Sequence, residues 1–338
     1  MTTRTRPRAS ARPAARKRRP VRDQTGRRRW QVVGWSCVLA GAAMLALYLW
    51  PGLQEYPVTA MAAAFIPHAT VLWVLAGVIL LLAGRRWGRA WAVVALAGGL
   101  LHAQVLVPYT SRFPEPPGPA YTVATLNLRF GEADLAALAD SPALDAPVLV
   151  LTEASAATVA TLDTKPWRTA YPYRVGQTDA WANGTLILSR DPLTVLKQPS
   201  GTPNAVVTVR VKTPLGPLVV IGAHLVSPVR DENVWQQDHR TLLGLTGSHP
   251  DDATVVVGDL NSTLEHLPVR RLLATGFTDA ASAAGSGWQP TWPASRWFPP
   301  LIAIDHVLLN DRLVAADTRT FRVPGTDHLG LMATLQAA

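Results

Sequence analysis

Hydrophobic positions along this chain follow two regimes. From Trp30 to Val107 they form long, nearly unbroken runs; beyond Tyr121 they come as short bursts separated by polar turns. Trp30–Trp50 holds no charged side chain over 21 residues, and a helix of that length crosses the hydrocarbon core of a bilayer. Trp30, Trp35, Tyr48 and Trp50 lie toward its ends, as amphipathic aromatics do at a membrane–water boundary. After "PGLQEYP" a second apolar span runs roughly from Val58 to Ala83, and after "GRRWGR" a third runs roughly from Ala90 to Val107. The pattern therefore predicts three transmembrane helices within 30–108. Residues 109–120 are rich in proline, which makes a short, stiff linker.

From Tyr121 onward the bursts are short and often β-branched, the signature of strands. They are expected near 121–127, 147–152, 184–190, 205–212, 217–224, 254–259, 303–309 and 330–336. Helices are expected over 132–140, 154–163, 231–246 and 264–275, with Asp231 placed to cap the third. Elements interleaved in this way predict one α/β domain of packed layers, residues 121–338.

Charge sharpens the division. Residues 1–108 carry 15 Lys/Arg against 2 Asp/Glu, or +13, whereas 109–338 carry 17 against 21, or −4. The segment 1–29 is too rich in Arg and Pro to bury a core and reads as a disordered basic arm. Because an apolar run follows at once, a cytoplasmic retention signal is the preferred reading over nucleic-acid binding. Arg85, Arg86 and Arg89 form a second basic loop, and both segments stay on the cytoplasmic side if basic loops remain inside. Three crossings then place 121–338 outside the cell. The long basic start and the lack of a small-x-small site after Trp50 argue against a cleaved signal peptide. Cys37 is the only cysteine, so no disulfide framework forms within the chain. His68 and His102 take no assigned role, and His239, His249 and His266 show no partner pattern, which predicts exposed helix or loop positions. The oligomeric state is not legible.

Candidate chemistry sits where the apolar runs stop. "TLNLR" delivers Asn127, "VLVLTEAS" Glu153, "VVIGAHLVSP" His224, and "VVVGDLNST" Asp259 and Asn261. "IDHVLL" opens with Asp305, and "GTDHLGL" supplies Asp327 and His328. A single strand-end Asp or Asn is ordinarily a turn residue; this many in sequence predicts a shared rim. A hard divalent cation prefers carboxylate oxygen, which makes Glu153 the first choice of ligand for Mg²⁺ (or Mn²⁺), with Asn127 beside it. No Cys-based metal site or Gly-rich nucleotide loop accompanies them.

These motifs resemble the endonuclease/exonuclease/phosphatase superfamily, the fold of DNase I-like nucleases, inositol-polyphosphate phosphatases and neutral sphingomyelinases. The resemblance covers roughly 120–338; "GDLN" and "DH" are its most specific elements, and "NGTLILSR", Asn183–Arg190, looks like the family's central strand. It implies an α/β fold, a two-sheet β-sandwich flanked by helices (DNase I-like), here preceded by three transmembrane helices. It also implies roles. Glu153 would bind the metal with Asn127, and Asp327 would approach it. Asp259 would orient or deprotonate water, and Asn261 would donate to phosphoryl oxygens. Asp305 would partner His328, and His224 would donate to the phosphate or protonate the leaving group. Three spans followed by this domain also resemble the VanJ-like proteins of actinobacteria, a branch associated with resistance to teicoplanin-type glycopeptides.

Substrate class is read from what surrounds these residues. Glu153 is followed by Ala154 and Ser155, and the domain is net negative, which argues against broad duplex DNA binding. "GWQPTWPASRWFPPLIAIDHV" brings Trp288, Trp292, Trp297 and Phe298 beside Asp305. That loop either covers the core or dips into the lipid interface, with Arg296 placed to meet a lipid phosphate. The expectation is a multi-pass phosphohydrolase with the lipid bilayer as partner and a lipid-linked phosphate or pyrophosphate of cell-wall synthesis as substrate. The alternatives are an extracellular nuclease and a non-catalytic module that binds a wall intermediate or antibiotic.

Overall fold

The computed structural model describes residues 21–83, 86–110, 118–178, 184–197 and 206–338. Most of the basic arm, Arg85, most of the Pro-rich linker and Asn183 lie outside the described residues. Four helices open the fold: α1 (Val21–Leu49), α2 (Pro57–Ala63), α3 (Ala69–Ala83) and α4 (Arg86–Ala103), the last continuing as a 3₁₀ turn over Gln104–Tyr109. Among the described residues two stretches, Thr25–Leu49 and Gly88–Tyr109, are long and apolar enough to cross a membrane by length and composition.

The expected second span over 58–83 is not one helix, so the expectation of three spans is not met. The chain turns over residues 64–68, and Pro67, which cannot donate a backbone hydrogen bond, lies in that turn. What remains is the apolar helix Ala69–Ala83, whose 15 residues rise about 22 Å, short of a bilayer core of about 30 Å. It still packs between its neighbours. Trp73 is buried among Val38, Ala76, Ala92 and Ala95. A Cβ on Gly41 would stand 2.7 Å from the Trp73 ring and one on Gly98 2.5 Å from it, so glycine lets these helices approach closely.

The second unit is a sandwich of two mixed six-stranded sheets. In chain order the strands are β1 (Tyr121–Asn127), β2 (Val148–Ala154), β3 (Tyr173–Gln177), β4 (Gly184–Ser189), β5 (Leu193–Lys197) and β6 (Val206–Thr213). They continue as β7 (Gly216–His224), β8 (Ala253–Asp259), β9 (Thr278–Asp279), β10 (Asp305–Leu309), β11 (Leu313–Phe321) and β12 (Gly330–Ala337). One sheet runs β11-β12-β1-β2-β4-β3, the other β5-β6-β7-β8-β10-β9. Val123, Val150, Ile187, Val209, Val220, Val255 and Val307 fill the space between them.

Both outer faces are covered as well. Short helices α5 (Leu135–Ala139), α6 (Ala156–Leu162) and α7 (Lys165–Ala170) lie over one sheet, where Leu149, Leu151, Leu162 and Trp167 are buried together. Over the other, α8 (Glu232–Thr246) and α9 (Leu267–Leu273) bury Leu242, Leu245, Val269 and Leu272 against Val219, Ile221 and Val256. The last helix, α10, is Ala280–Ala284. Strands covered on both faces explain why β1, β2, β7 and β8 read as continuous apolar runs rather than alternating ones. The Asp231 carboxylate caps α8 by accepting from Asn233 N and Val234 N.

Candidate active site

The chain's polar strand ends meet through register. β7 pairs in parallel with β8, and β8 antiparallel with β10, so that His224, Asp259 and Asp305 stand opposite one another in one row. Residues in one row point to the same face of a sheet. On the facing sheet, β1 places Asn127 beside Thr152. The β2–β4 ladder breaks register between Leu151 and Ala154, and Glu153 sits in that irregularity at φ 54°. A bulge there turns the carboxylate toward the rim. Arg129, Phe130 and Asn261 also hold positive φ. Non-glycine residues in this region cost backbone strain, which here gathers around one set of side chains.

Asn127 ties the two sheets together. Its Nδ2 donates to Glu153 Oε1 at 3.0 Å and to Asp259 Oδ2 at 2.9 Å. Its Oδ1, expected to face a cation, accepts from Arg129 N at 2.8 Å. Phe130 N donates to Glu153 Oε2 at 2.8 Å, so the Glu153 carboxylate is held from both oxygens. Asp259 Oδ1 accepts from Asn261 N at 2.8 Å, and Asn261 Nδ2 donates to Leu225 O at 2.8 Å. His328 Nδ1 lies 2.8 Å from Asp305 Oδ2, and its Nε2 lies 3.9 Å from Asp259 Oδ2. His224 Nε2 is 3.7 Å from Glu153 Oε1. Asp327 stands at the edge, where Trp292 Nε1 donates to its Oδ2 at 3.1 Å and Arg129 Nε lies 3.9 Å from its Oδ1. All eight residues singled out in the sequence therefore share one rim.

Burial sets their protonation. For His328, burial alone would lower the pKa. The Asp305 carboxylate, through charge and hydrogen bond, outweighs that, and with Asp259 and Asp327 it raises the imidazole to about 10. Burial, then the charge of Asp305, raises Asp259 well above the ordinary carboxylate range. Burial lowers His224, against the pull of Glu153, so it is neutral near pH 7. The rim thus holds one cationic imidazole and one neutral one.

A divalent cation fits this donor set. Asp259, Asp305 and His328 each offer a ligand atom within 4.8 Å of the others. His328, protonated and paired with Asp305, is no ligand in that state, which leaves the carboxylates of Asp259, Asp305 and nearby Glu153 as oxygen donors. Asp305 Oδ1 is buried without a hydrogen-bond partner, and carboxylate oxygen suits a hard ion. A cavity of about 720 Å³ opens over the rim, lined by Glu153, Asp259, Asn261, Asp327 and His328 together with Met61, Phe65, Trp292 and Ile302.

Several participants were not foreseen. Thr326 Oγ1 donates to Asn127 O at 2.7 Å and accepts from His328 N at 3.1 Å; only its place in "GTDH" could have signalled it. Behind the row lies a second His–Asp pair, His306 Nδ1 at 3.2 Å from Asp279 Oδ2, with Nε2 at 2.8 Å from Ser262 O. His239 and His266, expected to be exposed, are buried instead. Each lies under Trp235 and is paired to backbone: His239 Nδ1 with Trp235 O at 2.9 Å, His266 Nε2 with Ala60 O at 2.9 Å. His249 is half-buried and lies 3.5 Å from Asp252. In the aromatic loop, Trp297 is 96 % exposed, whereas Trp288 packs on Tyr109 with ring centres 4.6 Å apart.

Comparison with known proteins agrees with this geometry. The model of the Endonuclease/Exonuclease/phosphatase family matches residues 124–328. Among solved structures, a humanized D. rerio TDP2 carrying 14 mutations is 18 % identical, with TM-score 0.54 over 64 % of this chain and 99 % of that one. D. rerio TDP2 complexed with single-strand DNA product is 18 % identical, TM-score 0.52, over 64 % and 99 %. Caenorhabditis elegans TDP2 is 16 % identical, TM-score 0.53, over 74 % and 82 %. At these identities the likeness shows the fold. No curated protein matches the sequence.

Proposed function

Since the chain belongs to the endonuclease/exonuclease/phosphatase family, whose members hydrolyse phosphoester bonds with divalent metals, we propose that it is a membrane-anchored phosphohydrolase. Its substrate is a lipid-linked phosphate or pyrophosphate of cell-wall synthesis. The observation that carries this reading is the mixed lining of one cavity, where the carboxylates of Glu153, Asp259 and Asp327 and the imidazole of His328 meet Met61 and Phe65 from the N-terminal segment and Trp292 and Ile302. A route to glycopeptide resistance would follow if that lipid limits wall synthesis under the antibiotic.

Mg²⁺, when bound, would neutralise charge on the transferred phosphoryl group. Glu153, with Asp327 nearby, is placed to hold it. The chain's own residues do the rest. Asp259, held by Asn127 and Asn261 N, orients the attacking water and accepts its proton as the water oxygen bonds to phosphorus and the leaving oxygen departs. His328, kept cationic by Asp305, donates to the phosphoryl oxygens. His224 is neutral and donates a hydrogen bond rather than a proton. Asn127 acts through Glu153 and Asp259 as a positioning residue. Nucleic acid is the poorer fit, because Arg129 is the single Lys or Arg among the described residues lining the cavity.

The test is phosphate release by the purified chain with Mg²⁺ on undecaprenyl pyrophosphate, beside plasmid DNA. Release from the lipid, lost by about 10³-fold in Asp259→Asn, is expected. Turnover of DNA alone would replace this reading with that of a nuclease.

A further inference from the structure

The N-terminal helices do more than tether the sandwich; they are bolted to it beside the rim. Gln54 Nε2 donates to Glu265 O at 3.2 Å, and its Oε1 accepts from Leu267 N at 2.8 Å. Arg270 Nη1 donates to Tyr48 O at 2.6 Å, and its guanidinium lies 4.3 Å from the Tyr48 ring centre. His266 reaches Ala60 O, and Ala64 is buried with Ile302 and Ile304. These contacts fix the segment before Met61 and between Met61 and Phe65. Yet those two remain 37 % and 40 % exposed, and both line the catalytic cavity. Met61 lies in the last turn of α2 and Phe65 in the turn that follows it.

Apolar side chains left open on the wall of a charged cleft mark a ligand that is itself two-faced. Met61, Phe65, Trp292 and Ile302 line the same cavity as Glu153, Asp259 and His328. We propose that Met61 and Phe65 are specificity-determining residues, which grip the isoprene units of a prenyl chain beyond the first while its phosphate lies at the rim. This rests on the phosphohydrolase reading above and adds the feature that selects chain length. The segment between the first two apolar helices thereby becomes part of the substrate site.

The experiment uses the full chain in detergent micelles with Mg²⁺, and two substrates that share a headgroup: undecaprenyl pyrophosphate and a five-carbon prenyl pyrophosphate. The double variant Met61→Ser/Phe65→Ser should raise KM for the long chain at least tenfold, leave its kcat within twofold, and leave kcat/KM for the short chain unchanged. Phe65→Leu should retain the low KM. An unchanged KM for the long chain, or an equal loss on both substrates with unchanged thermal unfolding, overturns the proposal. Should the double variant fold poorly, crosslinking decides. A prenyl pyrophosphate with a diazirine beyond its first unit, bound to the Asp259→Asn chain, should label the peptide containing Met61 and Phe65. Label confined to other peptides overturns the assignment. Absence of turnover of either pyrophosphate by the unmodified chain is a separate result, which removes the lipid reading and this inference with it.

Discussion

Among single residues, protonation carries the chemistry, and it was the least legible property. The identities of Asn127, Glu153, Asp259, Asp305 and His328 could be read from where apolar runs stop. Their charge states could not, because these depend on distances across two sheets. His328 is cationic because Asp305 lies 2.8 Å away; His224 is neutral because it is buried with Nδ1 unpartnered. The rate should rise with pH on a limb above the usual carboxylate range, as Asp259 loses its proton, and fall near pH 10, as His328 loses its own. Asp305→Asn removes the group that holds the His328 proton. A pH–kcat/KM profile should then show the alkaline limb displaced downward by more than one unit. An alkaline limb unmoved by that change would mean that His328 is not the group titrating.

At the level of elements, the strands were legible and the breaks within them were not. β1, β2, β7 and β8 announce themselves as long apolar runs because both faces of each sheet are covered. The 2-residue β9 and the exposed β5 carry no such signal. Buried His239 and His266 misled for a similar reason: each pairs with a backbone carbonyl, and no side-chain spacing records that. Gly258 shows what a motif hides. In "VVVGD" it holds φ +147°, and a Cβ there would stand 1.9 Å from Ala223 O, on the strand beside it. No side chain fits between β7 and β8 at that level, so the glycine lets Asp259 take its place opposite His224. Gly258→Ala should destabilise the fold by more than about 3 kcal/mol or prevent folding. Chemical denaturation of the two proteins checks it, and a loss below 1 kcal/mol (roughly the cost of an ordinary substitution) would contradict it.

For the whole molecule, the junction between the apolar helices and the sandwich is the distinctive feature, and it rests on buried polar groups. His266 is 2 % exposed, accepts from Thr263 N through Nδ1 at 2.8 Å, and donates to Ala60 O through Nε2. Burial lowers its pKa from 6.5 to about 4. Because the folded value is depressed, its contribution is fully present above pH 6.5 and is lost as pH falls through about 4. Thermal stability should therefore fall as pH drops through that window, by on the order of 3 kcal/mol at most. His266→Gln should flatten the slope; an unchanged slope would place the acid sensitivity elsewhere. The central claim is that residues 127–328 converge on one cation-dependent phosphohydrolase site. Its most direct test is phosphate release at graded Mg²⁺ by the unmodified chain and by Glu153→Gln. The account predicts that a chelator abolishes release, that Mg²⁺ restores it, and that Glu153→Gln needs at least tenfold more Mg²⁺ for half-maximal rate. Full activity in chelator, or an identical Mg²⁺ curve for the variant, would contradict it.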